Sequence, residues 1–273
     1  MQKQQRQQQQ QQQQPEESNH APVSRRQSAY QQEQQPKQEW MPLPDSPGGY
    51  PPGLRYLMQV DQLIIKQQKE VMEILIGLDL PNQYVVLNTM GQPIYFANEK
   101  SSSVARNCCG AARPFELNIT DSSGEEVIHV SRPYRCMCLH QGLSCLNCCK
   151  DLVTVEAPPG QLVGQVRQIH RRCEATYEIL DSAGDKVLSI DGPNYCHCYC
   201  PGDDIPFSVR THDGEEVGRV SRQWSNLMQE YFTDADNFGI TFPIDLHLNV
   251  KATIIGACFL IDFMFFEKGG RMY

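Results

Sequence analysis

The segment Tyr177-Glu178-Ile179-Leu180-Asp181-Ser182-Ala183-Gly184-Asp185-Lys186-Val187-Leu188-Ser189-Ile190 contains a complete β-hairpin signal. Its two ends alternate apolar and polar residues with the period of two that is typical of a half-buried strand. The turn between them ends in Gly184, and the last residue of such turns usually needs a positive φ. The segment therefore predicts two antiparallel strands joined by a short turn.

Four other segments repeat this pattern, at 84–96, 115–130, 152–166 and 207–220. Five hairpins predict ten strands, and the segments 240–242 and 245–248 predict two more. A sheet of this size is expected to close, because exposed strand edges invite aggregation. We therefore predict a mainly β fold, a barrel of about twelve antiparallel strands.

The last apolar run is Ala252-Thr253-Ile254-Ile255-Gly256-Ala257-Cys258-Phe259-Leu260-Ile261-Asp262-Phe263-Met264-Phe265-Phe266. It predicts a helix over 251–267 that is apolar on every face except at Asp262, as helices in a protein core or a membrane are. A full span needs about 20 apolar residues, and an acid near the middle of the bilayer costs a few kcal/mol. A barrel of a dozen strands is too wide for its own side chains to fill, so we favour a helix that fills the barrel over a transmembrane helix.

The first fifty residues hold almost no Val, Ile, Leu or Phe, and we predict a disordered Gln/Pro-rich tail over 1–50. Its Pro-rich end, 41–53, suggests a ligand for SH3 or WW domains, although a solvated tail is favoured because no clean Pro-x-x-Pro core has a flanking Arg. In 54–76 the apolar residues recur at helical spacing and Gly77 follows, which predicts an amphipathic helix.

Composition excludes several classes of protein. The chain has 24 Lys+Arg and 32 Asp+Glu, and a net charge of −8 argues against a general nucleic-acid coat protein. The twelve cysteines are expected to be reduced, because the Gln-rich start of the chain has no apolar segment of the signal-peptide type. No P-loop, nucleophile elbow or His-Glu-x-x-His motif is present, so we predict no conventional enzyme.

The segment 234–245 has the spacing of a calcium loop, with an acid at its first, third and last positions and Gly239 at its sixth. The candidate ligands are Asp234, Asp236, Asn237 and Asp245, with backbone oxygens from Phe238, Ile240 and Phe242. Such a set would bind weakly, in the ~10⁻⁴–10⁻³ M class. The alternative is a tight turn that leads into a strand whose apolar residues enter the core.

The cysteines form four clusters, at 108–109, 136–138, 145–149 and 196–200. Cys145 and Cys148 have a zinc-knuckle spacing, but alternate strand residues point to opposite faces and suit a four-thiolate site badly. We rank S-acylation of Cys145, Cys148 and Cys149 on an exposed loop ahead of zinc binding. For Cys173 and Cys258 we expect buried, small apolar side chains.

Six blocks of sequence occur in an order that resembles the phospholipid scramblase family. They are Pro52-Gly53-Leu54, Asn107-Cys108-Cys109-Gly110, Arg132-Pro133, Ala157-Pro158-Pro159-Gly160, Thr233-Asp234-Ala235-Asp236-Asn237-Phe238-Gly239-Ile240 and Ile255-Gly256-Ala257-Cys258-Phe259-Leu260-Ile261-Asp262-Phe263-Met264-Phe265-Phe266-Glu267. The resemblance implies one domain over 51–268 between the tail and a short C-terminal segment, 269–273. It also implies a Tubby-like fold, a twelve-stranded barrel around a C-terminal helix.

The resemblance further implies calcium-dependent, ATP-independent movement of phospholipids between bilayer leaflets, which is transport rather than chemical catalysis. Ca²⁺ would be held by 234–245, and the palmitoylated cysteines would correspond to Cys145, Cys148 and Cys149, although a short insertion interrupts the family's cysteine run here. An importin-binding stretch would correspond to Gly218, Arg219, Val220, Ser221, Arg222, Gln223 and Trp224, with Arg where the family has Lys. Without the resemblance, that stretch predicts only a strand end.

For localisation, the resemblance implies the plasma membrane with the N-terminal bulk in the cytosol, a nuclear pool, and oligomerisation on calcium binding. The alternative function is a membrane-tethered lipid-binding or nuclear signalling adaptor, which keeps the helix inside the barrel and moves no lipid.

Overall fold

The computed structural model describes residues 39–45, 49–68, 81–109, 113–134, 150–171, 174–194, 206–221 and 237–266. Twelve antiparallel strands form one closed barrel, in which strands adjacent in sequence are neighbours and the first pairs with the last. The strands are β1 (Gln62–Gln68), β2 (Gln83–Leu87), β3 (Pro93–Lys100), β4 (Phe115–Thr120), β5 (Glu126–Arg132), β6 (Leu152–Glu156), β7 (Leu162–Arg171), β8 (Glu174–Asp181), β9 (Lys186–Asn194), β10 (Phe207–Arg210), β11 (Glu216–Ser221) and β12 (Asn237–Thr241). The predicted fold class is confirmed.

The two ends of the barrel differ in their connections. One end, the turn rim, carries the five short hairpin turns that follow β2, β4, β6, β8 and β10. In the β8–β9 turn, Asp181 Oδ1 accepts hydrogen bonds from the backbone N–H groups of Ala183 and Asp185, and Gly184 has φ 89°, as its turn position requires. The other end, the loop rim, carries the connections that follow β1, β3, β5, β7, β9 and β11.

The C-terminal helix lies inside the barrel. Helix α2 (Leu248–Ile261) begins at the turn rim, and a π-helical turn, Asp262–Phe266, continues it to the loop rim. Every residue of 251–265 is buried, which explains why no face of the helix is polar. The helix supplies many of the large apolar side chains of the barrel's core, and the burial of each one contributes about 1.5–3 kcal/mol to stability.

The turn rim is closed by a 3-10 helix, Pro52–Met58. Its Leu54 and Leu57 are fully buried, and the Tyr56 hydroxyl lies 3.2 Å from Ser122 Oγ in the β4–β5 turn. The Tyr95 hydroxyl donates to the carbonyl oxygen of Gly53 at 2.7 Å. The barrel core is thus covered at this rim by a segment that precedes the first strand.

The predicted helix over 54–76 is wrong. Of this segment the structure describes 54–68, in which the helical residues belong to Pro52–Met58, and the next element is β1, which pairs with β2 and β12 and closes the barrel. Leu63 and Ile65 enter the main core, while Ile64 belongs to a separate apolar cluster with Val85 and Leu87. Apolar residues on both faces of β1 removed the alternation and produced a spacing that resembles a helix.

The predicted strand at 245–248 is also wrong. The backbone N–H of Leu246 donates to the Pro243 carbonyl oxygen in a turn, and α2 begins at Leu248. His247 caps the helix, because its ring Nδ1 accepts from the Asn249 N–H at 3.3 Å. The twelfth strand of the barrel is β1 instead.

Part of the predicted N-terminal tail lies against the barrel. The Met41 side chain is buried, its N–H donates to the Pro93 carbonyl oxygen at 3.0 Å, and the Trp40 ring packs edge-on against Phe96. The first 38 residues of the tail and residues 46–48 lie outside the described ranges.

Candidate functional site

The loop rim is the end of the barrel at which most of the sequence-predicted site residues are attached. Every cysteine except Cys258 belongs to one of the connections between β3 and β4, β5 and β6, β7 and β8, or β9 and β10. Asp234 and Asp236 belong to the connection between β11 and β12, and the core helix ends at the same rim. The topology therefore attaches the predicted acylation and calcium segments to one end of the molecule.

The calcium segment does not fold as a single loop. Asp234 and Asp236 lie outside the described residues, while Asn237 opens β12 at the loop rim and Asp245 is exposed in the turn at the opposite rim. From Asn237 to Thr241 the strand alone spans about 13 Å, and Ca²⁺ holds its oxygen ligands at about 2.3–2.6 Å. Asn237 and Asp245 therefore cannot share one ion.

The three apolar members of the predicted calcium site are core residues. The side chains of Phe238, Ile240 and Phe242 are all buried, and the Phe238 ring lies 6.3 Å from the Phe259 ring of the core helix. Ile240 pairs with Leu63 of β1 and Val220 of β11 in the barrel wall. Among the described residues, no group of three His, Cys, Asp or Glu side chains is arranged to hold a metal ion.

The described cysteines differ in exposure. Cys108, in helix α1 (Ser103–Cys109), is exposed, and Cys109 is partly exposed. Cys258 is buried in α2, and desolvation, assisted by the Asp262 carboxylate, raises the pKa of its thiol well above the ordinary value. The predicted acylation sites Cys145, Cys148 and Cys149 lie outside the described residues, but both strands that flank their connection end at the loop rim.

The importin-like stretch begins within the barrel wall. Gly218, Arg219, Val220 and Ser221 belong to β11, where Val220 and Ser221 are buried. Arg219 is exposed and pairs with Glu216, with 3.2 Å between Nη2 and Oε1. The remaining three positions, Arg222, Gln223 and Trp224, lie outside the described residues.

Two buried ion pairs surround the loop-rim end of the core helix. Arg113 binds Glu99 through Nε and Nη2, at 2.8 and 3.1 Å, and its guanidinium lies 4.3 Å from the centre of the Phe263 ring. Glu99 Oε2 also accepts from the Asn82 N–H at 3.0 Å. Because a buried carboxylate needs such partners, this pair fixes the strand ends against the helix.

The second pair joins Arg132 to Asp151, both at most 3% exposed. Arg132 Nη2 also contacts Met264 Sδ at 3.3 Å, and the Tyr84 hydroxyl donates to Asp262 Oδ2 at 2.7 Å. Sequence reasoning missed this polar cluster. The sequence did contain a signal for it, namely charged residues at inward-facing strand positions. Arg132 falls on the inward-facing side of the alternation in β5, and Glu99 does so in β3.

Lys251 anchors the other end of the helix. Its Nζ donates to the backbone oxygens of Leu57, Val60 and Ile244 at 2.8, 2.9 and 2.8 Å, and its side chain is fully buried. Desolvation lowers the pKa of the Lys251 amine from 10.5 to about 8, against the opposing effect of nearby Asp61 and Asp245. Polar groups thus hold both ends of the core helix inside the barrel.

One helical segment of the described chain, 248–265, is long and apolar enough to cross a membrane. The same segment is 83% buried inside the protein, and a core helix passes this test as readily as a membrane span. Its length and composition are therefore weak evidence for a span.

The comparisons with known proteins agree on one family. The family model named Scramblase matches residues 41–268. The chain is 46% identical to phospholipid scramblase 1 of Homo sapiens over 232 residues, which cover 85% of this chain and 71% of that protein. It is 47% identical to phospholipid scramblase 2 of Bos taurus over 230 residues, covering 84% of this chain and 76% of the relative.

A more distant relative, phospholipid scramblase family member 5 of Homo sapiens, is 42% identical over 238 residues, with 84% of this chain and 85% of the relative covered. No solved structure matches the chain. The family model covers the whole described barrel and its core helix. The chain belongs to the scramblase family.

Proposed function

We propose that this protein moves phospholipids between the two leaflets of a membrane, in response to calcium and without ATP. The observation that carries the proposal is the 46% identity to a protein named phospholipid scramblase 1 over 85% of the chain. Lipid movement of this kind makes and breaks no covalent bond, so the protein acts as a transporter of lipid and not as a chemical catalyst. Passive movement of lipid down its concentration gradient between the leaflets needs no ATP.

The loop rim is the end that we propose to face the bilayer. Acyl groups on Cys145, Cys148 and Cys149 would tether the protein there, since two or more lipid chains give stable anchoring. The core helix is the less suitable anchor, because releasing it would expose the buried ends at Lys251 and Asp262 and empty the barrel. The plasma membrane, with the N-terminal bulk in the cytosol, is the proposed location.

Calcium is proposed to bind at the loop-rim end of the predicted segment, through Asp234, Asp236 and Asn237. Asp245 is excluded from that ion by its position at the turn rim. Three oxygen-bearing side chains leave coordination positions that lipid phosphates or water would fill, because Ca²⁺ takes six to eight oxygens. Calcium would then neutralise the rim and bring it to an anionic surface, with oligomerisation as a proposed consequence.

Reconstituted vesicles that contain fluorescent lipid test both parts of the proposal. The wild type should move the lipid faster with calcium than with a chelator, and Asp236→Ala should remove the difference. Asp245→Ala is the matched control, since the same substitution at the opposite rim should leave the calcium response intact. Equal rates with and without calcium in the wild type would reject the calcium dependence, and no lipid movement would reject the function.

A second candidate function is a membrane-tethered adaptor that binds lipid but does not move it. The observation that favours it is the complete burial of 251–265. Its proposed protein partners are SH3 or WW domains, through the Pro-rich segment, and an importin, through 218–224 in a nuclear pool. The importin would have to recognise Arg222–Trp224 with β11 intact, because Val220 and Ser221 are part of the wall. Pull-down with recombinant importin and an Arg222→Ala variant tests this directly.

A further inference from the structure

A cavity of about 450 Å³ lies on the wall of the barrel where β6, β7 and β8 approach the loop rim. Its volume is within the range of small-molecule binding sites. Leu152 and Ile169 give it an apolar surface, and both are partly exposed. Lys150 forms one side, and in the sequence it directly follows Cys149, one of the proposed acylation sites.

Two cations, Lys150 and Arg167, and two carboxylates, Asp151 and Glu178, line the cavity. Among the described residues, Lys150 has no hydrogen-bond or ion-pair partner. Arg167 has a half-exposed side chain whose Nη2 lies 2.9 Å from Glu178 Oε2, and the other Glu178 oxygen lies 3.8 Å from Lys186 Nζ. Glu178 therefore pairs with both Arg167 and Lys186. Its single negative charge cannot balance these two cations and Lys150 as well.

The remaining acid of the cavity is already paired. The Asp151 side chain is 1% exposed, and its Oδ1 binds Arg132 inside the barrel. The Asp151 backbone is held by Gln168, which donates its N–H to the Asp151 oxygen at 2.8 Å and accepts from the Asp151 N–H at 3.1 Å. Because the Asp151 side chain is buried and Glu178 is shared with Arg167 and Lys186, the groups left for an anionic ligand are an apolar surface and the cations Lys150 and Arg167.

We propose that this cavity binds the phosphate-bearing head group of an anionic phospholipid, with Lys150 and Arg167 on the phosphate and Leu152 and Ile169 beneath the glycerol. A choline head group is disfavoured, because the lining residues include no aromatic ring and no unshared carboxylate for a quaternary ammonium. The assignment to a lipid rests on the proposed function, which places this rim at a bilayer.

Vesicle sedimentation with the full, non-acylated chain tests the site. A chelator is present so that calcium cannot bridge the protein to the lipid phosphates. Wild type should bind phosphatidylcholine vesicles that contain phosphatidylserine more tightly than vesicles of phosphatidylcholine alone. Lys150→Gln and Arg167→Gln should each weaken binding to the anionic vesicles about fivefold, and the double variant about twenty-five-fold, since one cation near such a surface contributes about 1 kcal/mol. Lys150 has no hydrogen bond or ion pair to lose within the described part of the chain, so its variant separates binding from folding.

Arg210→Gln is the matched control, because Arg210 is also a partly exposed, ion-paired arginine but ends β10 at the turn rim. An equal loss in this variant would show that only total charge matters and would overturn the site, as would a double variant that binds like wild type. Complete displacement by inorganic phosphate at modest concentration would overturn the lipid assignment. If the wild type moves no lipid but the variants still lose binding, the proposed function fails and the site stands.

Discussion

Lys251 illustrates how one buried charge can define the position of a helix. Its ammonium donates to three carbonyl oxygens, those of Leu57 in the 3-10 helix, of Val60 between that helix and β1, and of Ile244 in the turn before α2. It also lies 4.9 Å from the centre of the Phe242 ring. A single side chain therefore joins the segment before β1 to the start of the core helix, up to 194 positions away, at the point where that helix enters the barrel.

Replacing Lys251 by Met should destabilise the fold by about 2–4 kcal/mol at neutral pH. Each buried carbonyl that loses its donor costs about 1–3 kcal/mol, and this exceeds what is regained by no longer burying a charge. Urea denaturation measures the change. Lys100→Met, at an exposed position of β3, is the control and should have an effect near zero. A Lys251→Met variant as stable as wild type would show that the three hydrogen bonds contribute nothing net.

The same residue predicts a pH dependence. The pKa of Lys251 is lowered to about 8 in the folded protein from 10.5, so between these values the unfolded chain binds more protons. Stability should therefore rise with pH from 8 to 10.5, by at most about 3 kcal/mol, relative to Lys251→Met measured in parallel. The comparison cancels the other groups that titrate there, including Tyr95, whose pKa burial raises. A constant difference between the two proteins across this range contradicts the prediction.

The core helix and the strands around it fit closely, and glycine makes this possible. A Cβ on Gly256 would lie 2.6 Å from Val155 Cγ2 of β6, closer than real Cβ contacts allow, while its other neighbours are at ordinary distances. Gly256 thus lets the helix approach the wall, at the cost of a weaker helix propensity. Two arginine–carboxylate pairs and the Tyr84–Asp262 hydrogen bond then hold the far end of the helix.

Gly256→Ala should therefore destabilise the protein by about 1–3 kcal/mol, although alanine is the better helix former by about 1 kcal/mol. Val155→Ala alone should also be destabilising, because it leaves a cavity. In the double variant the new methyl group occupies the vacated space. Its loss of stability should therefore be smaller than the sum of the two single losses by at least about 1 kcal/mol. Simple additivity in denaturant unfolding would show that the helix does not touch β6 at this point.

The barrel has two unlike ends. The turn rim is sealed by five tight hairpins and a 3-10 helix, and the loop rim carries the other connections between strands, in which the cysteines other than Cys258 lie. The core helix runs between the rims and is buried along its length. This asymmetry supports the proposal that the loop rim faces the bilayer while the helix stays inside the barrel.

Cysteine modification tests whether the helix stays inside. In detergent-free vesicles a maleimide should modify Cys108 rapidly and leave Cys258 unmodified, because Cys258 is buried and its thiol pKa is raised. Peptide mass spectrometry distinguishes the two positions, and modification of both in urea is the control for reactivity. Rapid modification of Cys258 in the folded, membrane-bound protein would mean that the helix leaves the barrel.

The amino-acid sequence alone was enough for the features that depend on short-range chemistry. The hairpins of β2 to β11 follow from alternation and turn residues, and the core helix follows from an apolar run too short and too acidic for an easy span. The resemblance of six sequence blocks identified the family, which the comparisons then confirmed. The calcium ligands, the acylated cysteines and the importin stretch remain predictions, because Asp234, Asp236, the three cysteines and residues 222–224 lie outside the described ranges.

Only the tertiary structure could assign the segments that are packed on both faces, because burial on both sides removes the alternation of apolar and polar residues. The apolar spacing of β1 resembles that of a helix because Ile64 is covered on the outside while Leu63 and Ile65 fill the core. The spacing of 234–245 left a calcium loop and a turn leading into a strand as alternatives, and the structure separates Asn237 from Asp245 by β12. The three-carbonyl site of Lys251 joins residues up to 194 positions apart, and such partners are brought together only when the barrel closes around its helix.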